Sequence, residues 1–272
     1  HTGSKSILGA QHHGLEAGVW CAYGWPGDYP PDQRGEDGLC LCFDGEAISE
    51  AVKILGYPEV SLELSSDQPL AQVVARLCDV SPTGESLLVS RGNLNLTHYK
   101  SHEFPERLEP HQRYKVNFPL GAIAHRLQPE HHWRLALSPT YWFHLWPSPK
   151  PVTLTIYTTE NSFLSLPVRV VECEIPLPEF QEPENAQPLE TTELRPGSRD
   201  MKIIHDPATQ TYLWMDTQDS GRVKLHYNTL EQEAVMTNRY SIGSEPLSAK
   251  AECEHSLEYQ REAWKIRIHT YS

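Results

Sequence analysis

Short runs of alternating apolar and polar residues, separated by prolines, restrict most strongly how this chain can fold. Val60–Leu64, Arg113–Leu120 and Val152–Tyr157 alternate in this way, as a strand does when one of its faces is buried. Almost no segment shows the 3.6-residue period of an amphipathic helix. Short strands at nearly regular spacing are typical of a β-sandwich or jelly roll. We therefore predict an all-β fold.

One pair of strands is predicted directly from its turn. Residues 73–90 form a hairpin around Ser81–Glu85, a segment with proline early and glycine late. The segment Ile48–Leu55 fits either a short helix or an edge strand. Asp44 and Asp79, at predicted strand ends, are interpreted as turn or cap residues.

The chain is predicted to have two parts. Residues 1–172 carry the sandwich, and residues 173–272 carry a strap with a β-rich extension that packs on or completes it. The strap is the proline-rich stretch 174–198, which has little hydrophobic periodicity. Beyond it, Asp219–Gly221 is a predicted turn and Trp264–His269 a predicted final strand.

Charge and hydropathy exclude two classes of partner. A net charge of −13 argues against nucleic acid, which requires clustered Lys and Arg to neutralise phosphates. No apolar run approaches the roughly 18 residues of a membrane span, so no membrane partner is predicted. The start at His1 indicates an excised or processed piece, and no signal-peptide pattern follows it. The six scattered cysteines are interpreted as reduced thiols of a cytoplasmic protein, with disulfides left open if the source protein is exported.

The motifs of common catalytic and metal sites are absent from the sequence. There is no GxSxG for a hydrolase nucleophile, no HExxH for a metalloprotease and no CxxC for a structural zinc site. His12–His13 and His131–His132 are adjacent pairs, whose side chains point to opposite faces of a strand. We predict no catalytic residue, no metal and no cofactor, so this chain alone is expected to be inactive.

An aromatic loop follows the alternating strand at residues 133–138. Tyr141–Pro149 holds several large aromatics and two prolines, which keep the loop from returning to a sheet. Part of this cluster is expected to close the end of the sandwich core, and the rest to face a partner domain or the entrance to an active site. The candidate residues are Tyr141, Trp142, Phe143 and Trp146.

A second aromatic cluster lies near the start of the chain, among acidic residues. As a functional site it would be a sugar platform, because aromatic faces stack on sugar rings and carboxylates bind hydroxyls. We favour the simpler interpretation, in which these aromatics anchor an irregular N-terminal arm to a neighbouring surface. The platform candidates are Trp20, Trp25 and Tyr29, and the acidic residues include Asp28, Asp32, Glu36 and Asp37.

An ordered set of short motifs resembles the C-terminal domain of the X-Pro dipeptidyl-peptidase family, which includes the CocE/NonD serine hydrolases. Each motif is weak alone, but their order over residues 15–170 is specific. They are Asp32–Arg34, Leu41–Asp44, Leu55–Gly56, Ser65–Pro69, Arg76–Gly84, Gly92–His98 and Arg134–Pro149, with a family-branch extension at Asp219–Gly221, Ser241–Ile242 and Pro246–Ala249. The sequence Glu130–His132 departs from the Gly-His-Arg usual in that branch.

The resemblance implies a jelly-roll β-sandwich of the galactose-binding-like type. It also implies an upstream α/β-hydrolase domain whose Ser, His and Asp hydrolyse esters or X-Pro peptides. The present chain would pack on that domain and shape its entrance without breaking bonds itself. The alternatives are an independent carbohydrate-binding module and an interaction domain that holds a homo-oligomer together.

Overall fold

The computed structural model describes residues 3–22, 24, 27–142, 144–170 and 178–272. The chain divides into two compact units, His1–Glu172 and Cys173–Ser272, and each is described on its own. The described residues fold mainly into antiparallel strands, with one four-residue helix, α1 (Arg34–Asp37), and a 3-10 turn at Leu96–His98. The prediction of an all-β fold is confirmed.

The first unit is built from two main sheets and a strand pair. Its strands are β1 (Gly3–Leu8), β2 (Leu41–Asp44), β3 (Val52–Gly56), β4 (Glu59–Ser66), β5 (Gln72–Val80), β6 (Ser86–Asn95), β7 (Tyr114–Pro119), β8 (Ile123–Leu127), β9 (His132–Ser138), β10 (Thr153–Thr158) and β11 (Phe163–Ser165). One sheet has the order β1-β10-β4-β11, with β7 also paired to β4. The other has the order β2-β9-β5-β6, and β3 pairs with β8.

The core lies between the two main sheets. Leu62 and Leu64 of β4 and Ile156 of β10 pack into one cluster with Leu77 of β5 and Leu137 of β9, and each is almost fully buried. These residues occupy every second position of their strands, which places them on a single face. Two sheets that share one apolar interior form a β-sandwich, as the alternation predicted.

The predicted hairpin is confirmed, and the segment that fitted either a helix or an edge strand contains a strand. β5 and β6 pair antiparallel across Ser81–Glu85, where Gly84 has a φ of 88° and its N–H donates to the Ser81 carbonyl. In the segment Ile48–Leu55, residues from Val52 onward form strand β3, which pairs with β8.

An irregular N-terminal arm, residues 9–40, connects β1 to β2. The Gly9 N–H donates to the carbonyl of Val152, and the Gln33 N–H donates to the carbonyl of Ser86 at the start of β6. The arm therefore contacts segments of both main sheets before it enters β2. Helix α1 lies near its end, and Glu36 and Asp37 of this helix are buried.

The second unit is one antiparallel sheet of order β12-β14-β15-β16-β17, with β13 paired to β14. Its strands are β12 (Thr191–Arg195), β13 (Ser198–Asp206), β14 (Thr211–Leu225), β15 (Glu231–Ile242), β16 (Lys250–Arg261) and β17 (Trp264–Tyr271). The predicted final strand is confirmed as β17, and it pairs with β16.

The predicted strap, residues 174–198, extends too far at its C-terminal end. Residues 178–190 are exposed and have no regular structure, as a strap requires, but β12 begins at Thr191. β12 was missed because it is fully exposed and lacks a buried face, so its sequence shows no apolar alternation. Residues 174–177 of the predicted strap lie outside the described residues.

The predicted turn at Asp219–Gly221 is wrong. β14 continues through it, and its pairing with β15 shifts between Asp219 and Arg222, which is a β-bulge. Gly221 has a φ of 74°, and Arg195 donates to both Asp219 carboxylate oxygens, at 2.6 and 2.9 Å. Glycine and aspartate are typical of turns and bulges alike, so the local sequence did not separate the two.

Gly221→Ala is expected to destabilise the second unit by about 1–2 kcal/mol, because a side chain at this φ is strained. The added Cβ would also overlap the Arg195 carbonyl oxygen. Urea unfolding followed by circular dichroism measures the loss. Gly243→Ala is the matched control, since its Cβ would make ordinary contacts and its φ is not positive. Equal stability of the two variants would contradict the backbone conformation that the bulge gives Gly221.

Candidate domain interface

The aromatic loop after β9, residues 139–149, is held against the N-terminal arm by backbone contacts. The Trp142 N–H donates to the His13 carbonyl oxygen at 2.8 Å. The next residue of the arm, Gly14, has a φ of 115°, and a Cβ there would overlap the Trp142 carbonyl oxygen. Only glycine combines this φ with so close an approach of two backbones. The arm and the loop are thus joined at one fixed point.

Two of the interface candidates are buried within the chain. Tyr141 is 1% exposed and Trp142 is 2% exposed. The Tyr141 ring contacts His13 edge-on and belongs to a small buried cluster with Ala17 and Val74. These two aromatics fix the loop to the domain and offer little surface to a partner. A third candidate, Phe143, lies outside the described residues.

The exposed part of the site combines both aromatic clusters of the sequence. Trp20 of the arm is 76% exposed, and its ring centroid lies 5.8 Å from that of His144 in the aromatic loop. The Arg91 guanidinium lies 5.9 Å from the Trp20 ring. Trp146 is 41% exposed and packs edge-on against Trp142 at 5.0 Å. We call Trp20, Arg91, His144 and Trp146 the aromatic patch.

The other sugar-platform candidates do not join this patch in the described part of the chain. Tyr29 is 64% exposed, and it makes no ring contact there with Trp20. Trp25 lies outside the described residues. Glu36 and Asp37, which a platform would use to bind hydroxyls, are buried and paired with protein groups. That role for the two carboxylates is therefore wrong.

His144 links Arg91 to the N-terminal arm, and its two hydrogen bonds require the neutral imidazole with its proton on Nε2. Its Nδ1 accepts a hydrogen bond from Arg91 at 2.9 Å, so its proton is on Nε2, which donates to the Gly18 carbonyl at 3.1 Å. Burial and the nearby Arg91 charge lower the pKa of His144 to about 4. The imidazole is therefore neutral at physiological pH.

This neutral histidine predicts a loss of stability in acid. Between pH 6.5 and pH 4 the unfolded chain binds a proton at His144 and the folded chain does not, so stability falls as pH falls. At about 1.4 kcal/mol per pH unit, the loss reaches at most about 3 kcal/mol. Urea midpoints at pH 7 and pH 4.5 should differ less in His144→Gln than in the unsubstituted chain. Identical pH dependence of the two proteins would rule this out.

A set of largely buried polar and charged side chains, centred on Asp37, joins the arm to strands β5, β6 and β9. Its carboxylate accepts hydrogen bonds from Arg76 at 2.7 Å, from Arg134 at 3.0 Å and from the Ser86 hydroxyl at 2.8 Å. Arg76 is 1% exposed and also donates to the Gln33 side chain at 2.8 Å. Buried charges are stable only when they are paired and hydrogen-bonded. Each charged side chain of this set is paired with an opposite charge, and among the described residues only the Nε of Arg76 lacks a hydrogen-bond partner within it. We call these five residues the polar layer.

The other buried carboxylate of α1, Glu36, fixes the first part of the arm. It accepts hydrogen bonds from the N–H groups of Gly14 and Glu16, and it lies 2.8 Å from His13 Nε2. Burial acts to lower the pKa of His13, but contacts with Cys40 and Glu36 raise it to about 9. The imidazolium donates its other proton to the Thr140 carbonyl at 2.7 Å. His13 therefore connects the arm to the aromatic loop.

The interpretation of Asp79 as a turn or cap residue is wrong. Asp79 is a buried residue within β5, and its carboxylate contacts His125 at 2.8 Å and His131 at 2.6 Å. Asp44 does end β2, but its carboxylate binds Arg134 with two hydrogen bonds instead of capping a turn. The described residues contain no group of three or more side chains placed to hold a metal ion. No helix described here is long and apolar enough to cross a membrane.

The comparison with protein families decides what kind of domain this is. The family described as the X-Pro dipeptidyl-peptidase C-terminal non-catalytic domain matches residues 4–213. The chain belongs to this family. The match begins in β1 and continues through the first unit into β14. Among curated proteins, no sequence matches the domain.

Solved structures share part of the fold of this chain. An α-amino acid ester hydrolase aligns with 22% identity and a TM-score of 0.55, over 61% of this chain and 33% of its own. An aminopeptidase from a marine sediment Thaumarchaeota archaeon aligns with 15% identity and a TM-score of 0.54, over 62% of this chain and 33% of its own. The domain thus spans about a third of the length of these solved chains.

Proposed function

We propose that this chain is the non-catalytic C-terminal domain of an α/β serine hydrolase that cleaves esters or X-Pro peptides. The match to a family of non-catalytic domains carries the proposal. The sequence itself lacks GxSxG, so a nucleophilic serine of that type has to come from another part of the protein. In this proposal an upstream catalytic domain holds the Ser, His and Asp, and the present domain packs against it and shapes the entrance.

The aromatic patch is the proposed contact surface with the catalytic domain. Tryptophan and arginine are enriched among residues that dominate binding energy, and the patch combines both. The fixed junction of Gly14 with Trp142 holds the surface rigid before a partner binds. A preformed surface loses less conformational entropy on association than a flexible one.

Hydrolysis assays on the isolated chain and on the complete native protein test the function. With X-Pro and amino-acid-ester chromogenic substrates, we expect activity in the complete protein and none in the chain alone. A catalytic rate in the chain alone that survives repurification would refute the non-catalytic assignment. Inactivity of the complete protein on both substrate classes would refute the proposed reaction.

The contact surface requires its own test in the complete protein. Replacing Trp20 and Trp146 with serine should lower the melting temperature of the complete protein more than that of the isolated chain. Trp264→Ser is the matched control, because Trp264 is 73% exposed and belongs to the second unit. If the paired patch substitutions behave like the control, the patch does not contact the catalytic domain.

A carbohydrate-binding module is the alternative function, and the exposed rings of Trp20 and Tyr29 favour it. Titration with galactose and with oligosaccharides, followed by tryptophan fluorescence, tests this alternative. A saturable shift that Trp20→Ala abolishes would support sugar binding.

We further propose that the protein is cytoplasmic and that it forms a homo-oligomer. We place the protein in the cytoplasm, and alkylation of unreduced cell extracts should then label its cysteines as free thiols. Size-exclusion mass across a dilution series tests the homo-oligomer, which should give a stable multiple of 30.9 kDa for this chain.

A further inference from the structure

A cavity of about 460 Å³ opens between the two main sheets of the first unit. Its walls are mainly apolar and come from both sheets, with Phe43 of β2, Trp133 and Leu135 of β9, Ile156 of β10 and Leu164 of β11. The volume lies within the roughly 300–1,000 Å³ typical of small-molecule sites. The cavity is separate from the aromatic patch, whose residues do not line it.

Polar groups on the cavity wall are already engaged with the protein. The Asp44 carboxylate is bound by Arg134, and the Thr159 hydroxyl donates to Glu63. The Ser162 hydroxyl donates to the Tyr157 carbonyl. A ligand would therefore meet the wall chiefly through apolar contacts, and the wall supplies little to orient a polar head group.

One cation lies beside the cavity without a carboxylate partner. Lys5 of the edge strand β1 is the register partner of Ile156, so the two side chains share the inner face of the sheet. Its Nζ lies 5.1 Å from the centroid of the Phe43 ring, which lines the cavity. Lys5 is exposed and stands at the rim of the cavity, outside its lining, and among the described residues no ion pair joins it to a carboxylate.

An exposed lysine on the core side of an edge strand also has a purely structural explanation. Such charges prevent edge strands from pairing with other chains. That explanation accounts for the lysine and leaves the apolar cavity beside it unexplained. The two features together fit a ligand with an apolar body and one negative charge.

We propose that this cavity binds an amphiphilic monocarboxylate, such as a medium-chain fatty acid. The hydrocarbon chain lies between Phe43, Leu135 and Ile156, and the carboxylate lies near Lys5 Nζ. Burial of each further methylene should tighten binding about fourfold until the cavity is full. This inference does not depend on the proposed hydrolase, because the site lies wholly within the first unit.

Calorimetric titration of the full 272-residue chain with hexanoate, octanoate and decanoate, below their micelle-forming concentrations, tests the proposal. We expect saturable one-to-one binding that tightens with chain length. Lys5→Gln should weaken octanoate binding by up to about fivefold and leave binding of the neutral 1-octanol unchanged. Lys150→Gln, which removes the same charge at another exposed position, should change neither.

A substitution that fills the cavity provides a second, independent test. Leu164→Trp should abolish binding of both ligands, whereas Leu189→Trp, in the exposed strap, should not. If Leu164→Trp fails to fold, 8-bromooctanoate replaces it as a probe. It should quench tryptophan fluorescence in the unsubstituted chain and much less in Trp133→Phe. Absence of saturable binding, equal weakening of octanoate and octanol by Lys5→Gln, or quenching that persists in Trp133→Phe would overturn the proposal.

Discussion

Asp37→Ala is expected to lower the free energy of unfolding of the first unit by about 3–5 kcal/mol, the usual result of breaking a buried ion pair. The substitution leaves Arg76, which is 1% exposed, without its carboxylate partner. It also removes one contact of Arg134 and the acceptor of the Ser86 hydroxyl. Because Asp37 belongs to α1, its loss should release the arm from the sheet.

Urea unfolding followed by tryptophan fluorescence measures this loss. Glu106→Ala is the matched control, because Glu106 pairs with the exposed Lys100 at the surface, and it should cost much less. The paired change of Arg76→Met with Asp37→Leu should recover much of the stability, since it removes both buried charges together. A loss below about 1 kcal/mol for Asp37→Ala would show that the polar layer does not hold the arm.

Trp142→Ala is expected to cost about 3–5 kcal/mol, the usual range for truncating a buried tryptophan. Trp142 is 2% exposed, and its ring supports Trp146 of the aromatic patch. The substitution should therefore destabilise the first unit and disorder the patch together. Denaturant unfolding measures the first effect, and protease cleavage within residues 139–149 measures the second.

Two controls separate ring burial from other effects of changing Trp142. Trp142→Phe should cost much less, because it keeps an aromatic ring and removes an Nε1 that has no hydrogen-bond partner among the described residues. Trp264→Ala should change stability by less than about 0.5 kcal/mol, because Trp264 is 73% exposed. A small cost for Trp142→Ala would mean that the loop is not anchored by this ring.

The strands could be predicted from the sequence because a half-buried strand alternates over a few neighbouring residues. β7 and β10 each bury every second residue, as does β4 up to Leu64, and alternation located these three strands. β9 is buried on both faces over Leu135–Ser138, and its sequence alternation located it as well. β12 has no buried face and was missed. The sequence predicts a turn at Gly221 where the structure has a bulge, because the two conformations favour the same residues.

The polar layer could not be predicted, because its contacts join residues far apart in the sequence. Asp37 meets Arg76 and Arg134, and no local pattern records such a pairing. One signal was nevertheless present. Arg76 and Asp79 interrupt the apolar run of β5, and charges in a buried strand require partners. That signal indicates that partners exist, but it does not identify them.

Only part of the aromatic patch could be predicted from the sequence, because its two halves are far apart along the chain. Each aromatic cluster was visible in the sequence, but the contact of Trp20 with His144 depends on how the arm folds back. The predicted interface residues also differ in burial, which the sequence does not show. Tyr141 and Trp142 fill the interior, and Trp146 keeps an exposed surface.

The intact mass of the native polypeptide, captured from source cells by an antibody to this domain, tests the central claim most directly. If the chain is the non-catalytic part of a hydrolase, the mass will lie well above the 30.9 kDa of these 272 residues. The captured protein will also label with a fluorophosphonate probe for reactive serines. A native mass of 30.9 kDa without such labelling would contradict the account and show that the sandwich acts alone.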